Sequence, residues 1–234
     1  MAALVSNTII SLSDSIPEIW KLLNDKEREL VTLNTRIHDF KKNEIIYELG
    51  AIPEELMCLC SGKVKIYRDG VGGRSQIVRM LRSTQYFGYR AYFAKQPYVT
   101  AAAAFESATV CFIPMAIIEK LVLANSQLGM FFIKELAVDL GVADERVVSL
   151  TQKHIRGRLA ESLIFLMDNY GLEEDDATIA IYLSREDLAS LSNMTTSNAI
   201  RTLSTFVDEH IIALDGRKIK VIDKDTLLKI SSLG

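Results

Sequence analysis

The sequence predicts an α+β chain: an N-terminal antiparallel β-roll of jelly-roll type, a long helix, and a C-terminal winged helix-turn-helix. Three observations carry this. Short apolar runs separated by glycines occupy 35–113, a proline-free helical stretch follows at about 126–154, and the last third holds two capped helices and a hairpin. The domains read as a roll with a helical N-terminal cap at 1–124, the long helix at 125–154, and the winged helix-turn-helix at 155–234.

Over 16–33 apolar residues recur at helical spacing. Pro17 suits a first turn, and Asn24-Asp25-Lys26-Glu27 offers a cap between two short helices. Strands are then expected at 44–47, 56–60, 63–67 and 76–81, punctuated by Gly50, Gly62 and Gly70-Val71-Gly72-Gly73. Pro114 closes the strand region, and 115–123 reads as a short helix. In the long stretch Phe132, Leu136, Leu140, Ala143, Val147 and Leu150 fall three or four apart, flanked by Lys134, Asp139, Asp144, Glu145 and Arg146. A narrow, long apolar seam of this kind suits a partner helix, which predicts a homodimer; the alternative is that the stripe packs on its own domain.

After Ile155-Arg156-Gly157-Arg158 another amphipathic helix runs to Tyr170 and ends at Gly171. The polar run Glu173-Glu174-Asp175-Asp176 is expected as a solvated loop, and 178–183 as a short strand. Ser184 then caps a helix over 185–191, the link Ser192-Asn193-Met194 follows, and Thr195 caps a second helix. On that helix Ala199, Leu203, Phe206 and Val207 form a buried face, while Thr196, Ser197, Asn198 and Arg201 project from its exposed early part. Such groups reach base edges and phosphates, which points to double-stranded DNA as partner. Asp215-Gly216 reads as a hairpin turn with Arg217, Lys218 and Lys220 clustered beside it as a basic wing. The same helices and hairpin also fit a purely structural domain.

The net charge of -3 gives no electrostatic hint of nucleic acid, so the DNA argument rests on where charges sit. The first twenty residues carry no basic residue and interrupt their apolar positions with Ser, Asn and Asp, so neither a signal peptide nor a membrane span is expected and a cytoplasmic protein is. Cys58, Cys60 and Cys111 are too few for a disulfide framework. Cys58 and Cys60 share one face of a strand, compatible with either a thiol sensor or buried structural cysteines.

The order of these parts resembles the Crp/Fnr superfamily of bacterial transcription regulators over nearly the whole chain. Lys41-Lys42-Asn43-Glu44-Ile45-Ile46-Tyr47 with Gly50 is similar to the family's opening strand and turn, and Ser61-Gly62-Lys63-Val64 within 56–67 to its strand pair. Phe87-Gly88 resembles the start of its effector-binding cassette, Arg158-Leu159-Ala160 the opening of its DNA domain, and 183–203 its helix-turn-helix. The resemblance implies a cyclic-nucleotide-binding-like roll, a homodimer on an inverted-repeat operator, RNA polymerase as a further partner, and a small-molecule effector held near Phe87, Gly88, Tyr89, Arg90, Val99, Thr100 and Ala101. In cyclic-AMP-binding members the cassette Gly precedes a Glu that holds the ribose, and an Arg before Ser/Thr-Ala holds the cyclic phosphate. Here those positions are Tyr89 and Val99, so cyclic AMP is not expected. An iron-sulfur cluster needs four thiolates and the chain has three cysteines. His38, His154 and His210 are isolated, so neither haem nor a metal site is expected. A cupin-like enzyme on the same kind of roll would need clustered histidines, which the strand region lacks. A ligand-binding or scaffold protein without DNA output stays as the alternative.

Overall fold

The computed structural model describes residues 11–70 and 73–234. The first ten residues, the first half of the opening segment discussed above, and Val71 and Gly72 of the glycine-rich turn lie outside the described residues. The chain forms two compact units: the described residues up to Arg68 with Val78–Leu140, and Asp69–Ile77 with Gly141–Gly234.

The first unit is the roll. Strands β1 (Arg36–Phe40), β2 (Ile45–Tyr47), β3 (Glu55–Ser61), β4 (Val64–Asp69), β5 (Ser75–Leu81), β6 (Tyr86–Phe87), β7 (Ala101–Ala104) and β8 (Ala108–Pro114) form two four-stranded sheets, β1-β8-β3-β6 and β2-β7-β4-β5. Strand β8 pairs antiparallel with β1 and β3, β3 with β6, and β7 with β2 and β4, with Cys58 opposite Cys111 and Val64 opposite Ala104. Met57, Leu59, Val110 and Phe112 point between the sheets onto Phe40, Val64, Ile66 and Phe87. Leu56, Cys58, Cys111 and Ile113 point the other way into a second core closed by helices. Because β3 and β8 are covered on both faces, they read as continuous apolar runs rather than alternating ones. Gly62, at φ +83°, makes the β3–β4 turn, where a Cβ would collide with the Ser107 carbonyl.

The covering helices are α1 (Leu12–Ser15), α2 (Pro17–Leu22), α3 (Asp25–Asn34), α4 (Tyr89–Phe93), α5 (Met115–Ala124) and the first part of α6 (Ser126–Gln152). Pro17 opens α2 as the sequence predicts. Asn24 caps α3 in a reciprocal box: its side chain accepts from Glu27 N–H at 3.1 Å, and Glu27 accepts from Asn24 N–H at 2.8 Å. Among the described residues no single helix is long and apolar enough to cross a membrane.

The second unit contains α7 (Ile155–Tyr170), α8 (Arg185–Leu191), α9 (Thr196–Asp208), β9 (Ile212–Asp215), β10 (Lys218–Val221) and α10 (Lys224–Leu233). Residues 69–77 join it because the Ser190 hydroxyl accepts from Ile77 N–H at 2.9 Å and donates to the Ser75 carbonyl at 2.8 Å. Two expectations need correction. The predicted strand at 178–183 makes only isolated bridges, Leu172 to Ile179 and Thr178 to Lys220, since the acidic loop before it folds back on Thr178. The hairpin turn is Gly216-Arg217 rather than Asp215-Gly216: Asp215 pairs with Lys218, and glycine at the first central position takes φ +55°. The terminal helix α10 was not anticipated; Asp223 caps it and it packs along α7.

Candidate nucleic-acid interface

Helices α9 and α8 are each capped at the N-terminus. The Thr195 hydroxyl accepts from Asn198 N–H at 3.2 Å, and the Ser184 hydroxyl caps α8 by accepting from Asp187 N–H at 3.0 Å. Ala199, Thr202, Leu203 and Phe206 are buried, with Val207 half-buried beside them. On the opposite side Thr196, Ser197 and Arg201 are exposed and Asn198 is half-buried. The Arg201 guanidinium donates to Asn198 Oδ1 at 3.3 Å. That contact lies one helical turn back, so it draws the guanidinium toward the helix N-terminus without covering its remaining donors.

The turn between the helices is held by two arginines whose roles sequence reasoning missed. Asn193 takes φ +50°, a left-handed conformation that asparagine tolerates, and Met194 is buried. Arg158 on α7 donates to the carbonyls of Ser192 at 3.2 Å, Asn193 at 3.2 Å and Lys153 at 3.1 Å. Arg146 donates to the Leu191 carbonyl at 3.0 Å. The Arg158-Leu159-Ala160 motif flagged the position. Nothing local announces that its first residue reaches a turn 35 positions on.

The wing is less freely basic than its sequence. Lys218 pairs with Glu173 at 3.1 Å and lies over the Tyr182 ring, and Lys220 pairs with Asp175 at 3.2 Å. The run 173–176 is thus an engaged loop rather than a purely solvated one. Hydrogen bonds from the Thr178 N–H and hydroxyl and from Ala177 N–H, with Lys220 beside it, hold the Asp175 carboxyl well below the usual carboxylate range. Among the described residues Arg217 has no ion-pair partner and sits at the tip. Arg185 fixes that tip by donating to the Gly216 carbonyl at 2.8 Å.

In the first unit the cassette residues diverge. Phe87 is buried between the sheets, and Gly88 at φ +89° opens α4 with no room for a Cβ beside Met57. Tyr89 is buried against Phe132 and Phe93, with ring centroids 5.2 and 6.4 Å away, and burial pushes its hydroxyl up. Arg90 and Val99 are exposed, the Thr100 hydroxyl lies 3.4 Å from the Tyr47 hydroxyl, and Ala101 is buried in β7. The unit also holds Arg79 on β5, which pairs with Asp139 on α6 at 2.6 Å and acts electrostatically on both Tyr47 and Tyr89. A cavity of about 370 Å³ opens at the end of the roll, lined by Arg36, His38, Tyr47, Glu55, Tyr98 and Phe112 among others.

The α6 seam splits. Phe132 and Leu136 pack into the roll's helical core with Tyr89, and Leu150 is half-buried. Leu140, Ala143 and Val147 are exposed, and the outward row continues through Met130, Ile133 and Ala137. Steps of four advance about 40° beyond a full helical turn, so the run 132, 136, 140 drifts from the inner face to the outer one.

A capped recognition helix on a rigid turn, followed by a hairpin, defines a winged helix-turn-helix of the DNA-binding class, here joined to a β-roll. The cyclic nucleotide-binding domain model matches residues 37–125 and the Crp-like helix-turn-helix domain model matches 157–230. The chain is 21% identical over 192 residues to the CRP-like cAMP-activated global transcriptional regulator of Mycobacterium tuberculosis, covering 82% of this chain and 86% of that one. It is 24% identical over 201 residues to the anaerobic regulatory protein of Bacillus subtilis, covering 85% and 84%. Its fold matches FixK2 of Bradyrhizobium japonicum with a TM-score of 0.76 at 21% identity over 84% of this chain and 96% of that one. It matches the c-di-GMP responsive regulator CLP of Xanthomonas campestris with a TM-score of 0.73 at 14% identity over 85% and 99%. The chain belongs to the Crp/Fnr superfamily of transcription regulators.

Proposed function

We propose that this regulator acts in the cytoplasm as a homodimer that places two copies of α9 in successive major grooves of an inverted-repeat operator. The observation that carries this reading is the surface of exposed Ser197 and Arg201 with half-buried Asn198 on a helix capped at Thr195, with Arg201 oriented by Asn198. A guanidinium so placed addresses the two acceptors of a guanine, while Arg217 at the wing tip meets a phosphate. The exposed apolar row on α6 supports the dimer, because paired helices remove it from water. Any effector of the roll is a small molecule other than cyclic AMP. Tyr89 and Val99 stand where a sugar acceptor and a phosphate-binding guanidinium are needed, and relatives answer by name to cyclic AMP in one case and c-di-GMP in another.

Mapping the genomic sites of the tagged protein, followed by gel shifts on the recovered fragments, tests the reading. Recovery of a shared inverted repeat with half-sites about one helical turn apart is expected. The pairing of Lys218 and Lys220 with Glu173 and Asp175 favours one competing reading, a scaffold of the same fold without DNA output. Absence of any retarded fragment at micromolar protein would establish that alternative.

A further inference from the structure

All three cysteines of the chain lie together on the helix-covered face of the β1-β8-β3-β6 sheet. Cys58 on β3 and Cys111 on β8 are directly opposite one another. The pairing register shifts between Leu59 and Ser61, so Cys60 sits in a bulge next to the same pair. The bulge keeps Cys60 on the face of Cys58, where its thiol donates to the Cys58 carbonyl at 3.7 Å with the Cys111 thiol beside it. The three sulfurs are not equivalent. The Cys58 thiol is spent on the Ser15 carbonyl at 2.9 Å and is buried, whereas Cys60 is half-buried at the margin of the core. Among the described residues no group of three His, Cys, Asp or Glu side chains is placed to hold a metal ion, so the cluster is read through sulfur chemistry.

We propose that Cys60 and Cys111 form a peroxide-reactive thiol pair, with Cys60 the attacking sulfur and Cys111 the resolving one. The thiolate of Cys60 attacks one oxygen of hydrogen peroxide. The O–O bond breaks, hydroxide leaves and takes up a proton, and the sulfur is oxidised to a sulfenic acid. The Cys111 sulfur then attacks the sulfenic sulfur, the S–S bond forms, and water is expelled with the thiol proton. Two thiols and one peroxide thus become one disulfide and two waters.

The environment orders the roles. Hydrogen bonding from the Cys111 thiol, with further help from the Ser15 hydroxyl and the Cys111 N–H, draws the Cys60 thiol below its ordinary value against burial and the Asp39 charge. The Cys111 thiol is pushed up by that same bond, by burial and by the neighbouring sulfurs, so it stays protonated and supplies the donor. Oxidation of Cys60 removes its negative charge, and with it part of what holds the Cys111 proton. Burial first, then Cys60 and Glu18, keep Cys58 protonated and out of the reaction. The pair lies in the core that also contains Phe132 and, packed against it, Leu136 of the long helix, so disulfide formation strains the packing under α6.

The test treats the full-length protein with hydrogen peroxide at neutral pH, then counts free thiols after denaturation and maps unreduced peptides. Three thiols falling to one, with a Cys60–Cys111 linked peptide, is the expected result. Cys60→Ser should slow thiol loss by on the order of tenfold or more, Cys58→Ser should still form the link, and Cys111→Ser should leave a Cys60 sulfenic acid trapped by dimedone. Circular dichroism checks that each variant is folded, and the wild-type peptide map stands whatever the variants do. Retention of three thiols under excess peroxide, a link through Cys58, or undiminished oxidation in folded Cys60→Ser overturns the proposal.

Discussion

Arg158→Met isolates what holds the helix-turn-helix turn, because methionine keeps the aliphatic stem and removes only the donors. The guanidinium serves three carbonyls at 3.1–3.2 Å, two of them in the turn. Bonds to a charged donor contribute about 1.5–3 kcal/mol each at good geometry, but these distances are long and the side chain is half-buried. About 1 kcal/mol for each of the two turn bonds is therefore the working figure. The Ser192 residue is only 2% exposed, so its carbonyl is left with little access to water, which adds about 1–2 kcal/mol. The expected loss is about 3–4 kcal/mol, a fall of roughly 15–20 °C in melting temperature for a unit of about 100 residues. Urea and thermal denaturation followed by circular dichroism measure it, with DNA affinity read in parallel. A loss under about 0.5 kcal/mol, with DNA binding unchanged, would refute the assignment of Arg158 as the anchor of this turn.

Four further outcomes are expected. Leu140 and Val147 are 63% and 59% exposed, so pairing them across a dimer buries roughly 1 kcal/mol per side chain or more; the double replacement by Glu should give monomers in sedimentation, and a wild type already monomeric at micromolar concentration would count against the dimer. Arg201→Ala should cost about 1–3 kcal/mol on the cognate operator alone, whereas Arg217→Ala should weaken all DNA alike and reduce the salt slope by about one; unchanged operator preference in folded Arg201→Ala removes it as a base reader. Titration calorimetry should find no cyclic AMP binding at low micromolar concentration, since a buried Tyr89 and an exposed Val99 offer neither sugar acceptor nor phosphate partner. The folded-state pKa of Asp175 is depressed, so its stabilisation is complete above the unfolded carboxylate value near about 4 and is lost as pH falls through the folded value; Asp175→Asn should be the less stable protein at pH 7, with the gap closing in acid denaturation below about pH 3.

The local code was sufficient wherever a short stretch satisfies its own backbone. Asn24 with Glu27, Ser184 with Asp187 and Thr195 with Asn198 close caps within one turn, so the helix starts at Asp25, Arg185 and Thr196 could be read from residue type and spacing. The glycine-bounded runs of the roll were legible for the same reason. The order of all these parts along the chain was enough to suggest the family.

Tertiary structure decided what depends on partners distant in sequence. An apolar stripe on α6 does not declare which core it meets, and only the packed roll sends Phe132 and Leu136 inward onto Tyr89 while leaving Leu140 and Val147 in water. The acidic run 173–176 and the wing lysines are separately ordinary surface charge; the fold brings Glu173 to Lys218 across 45 positions and so divides the basic cluster. Likewise the bulge after Leu59 turns three scattered cysteines into neighbours, because strand register, not spacing along the chain, sets which side chains meet across a sheet.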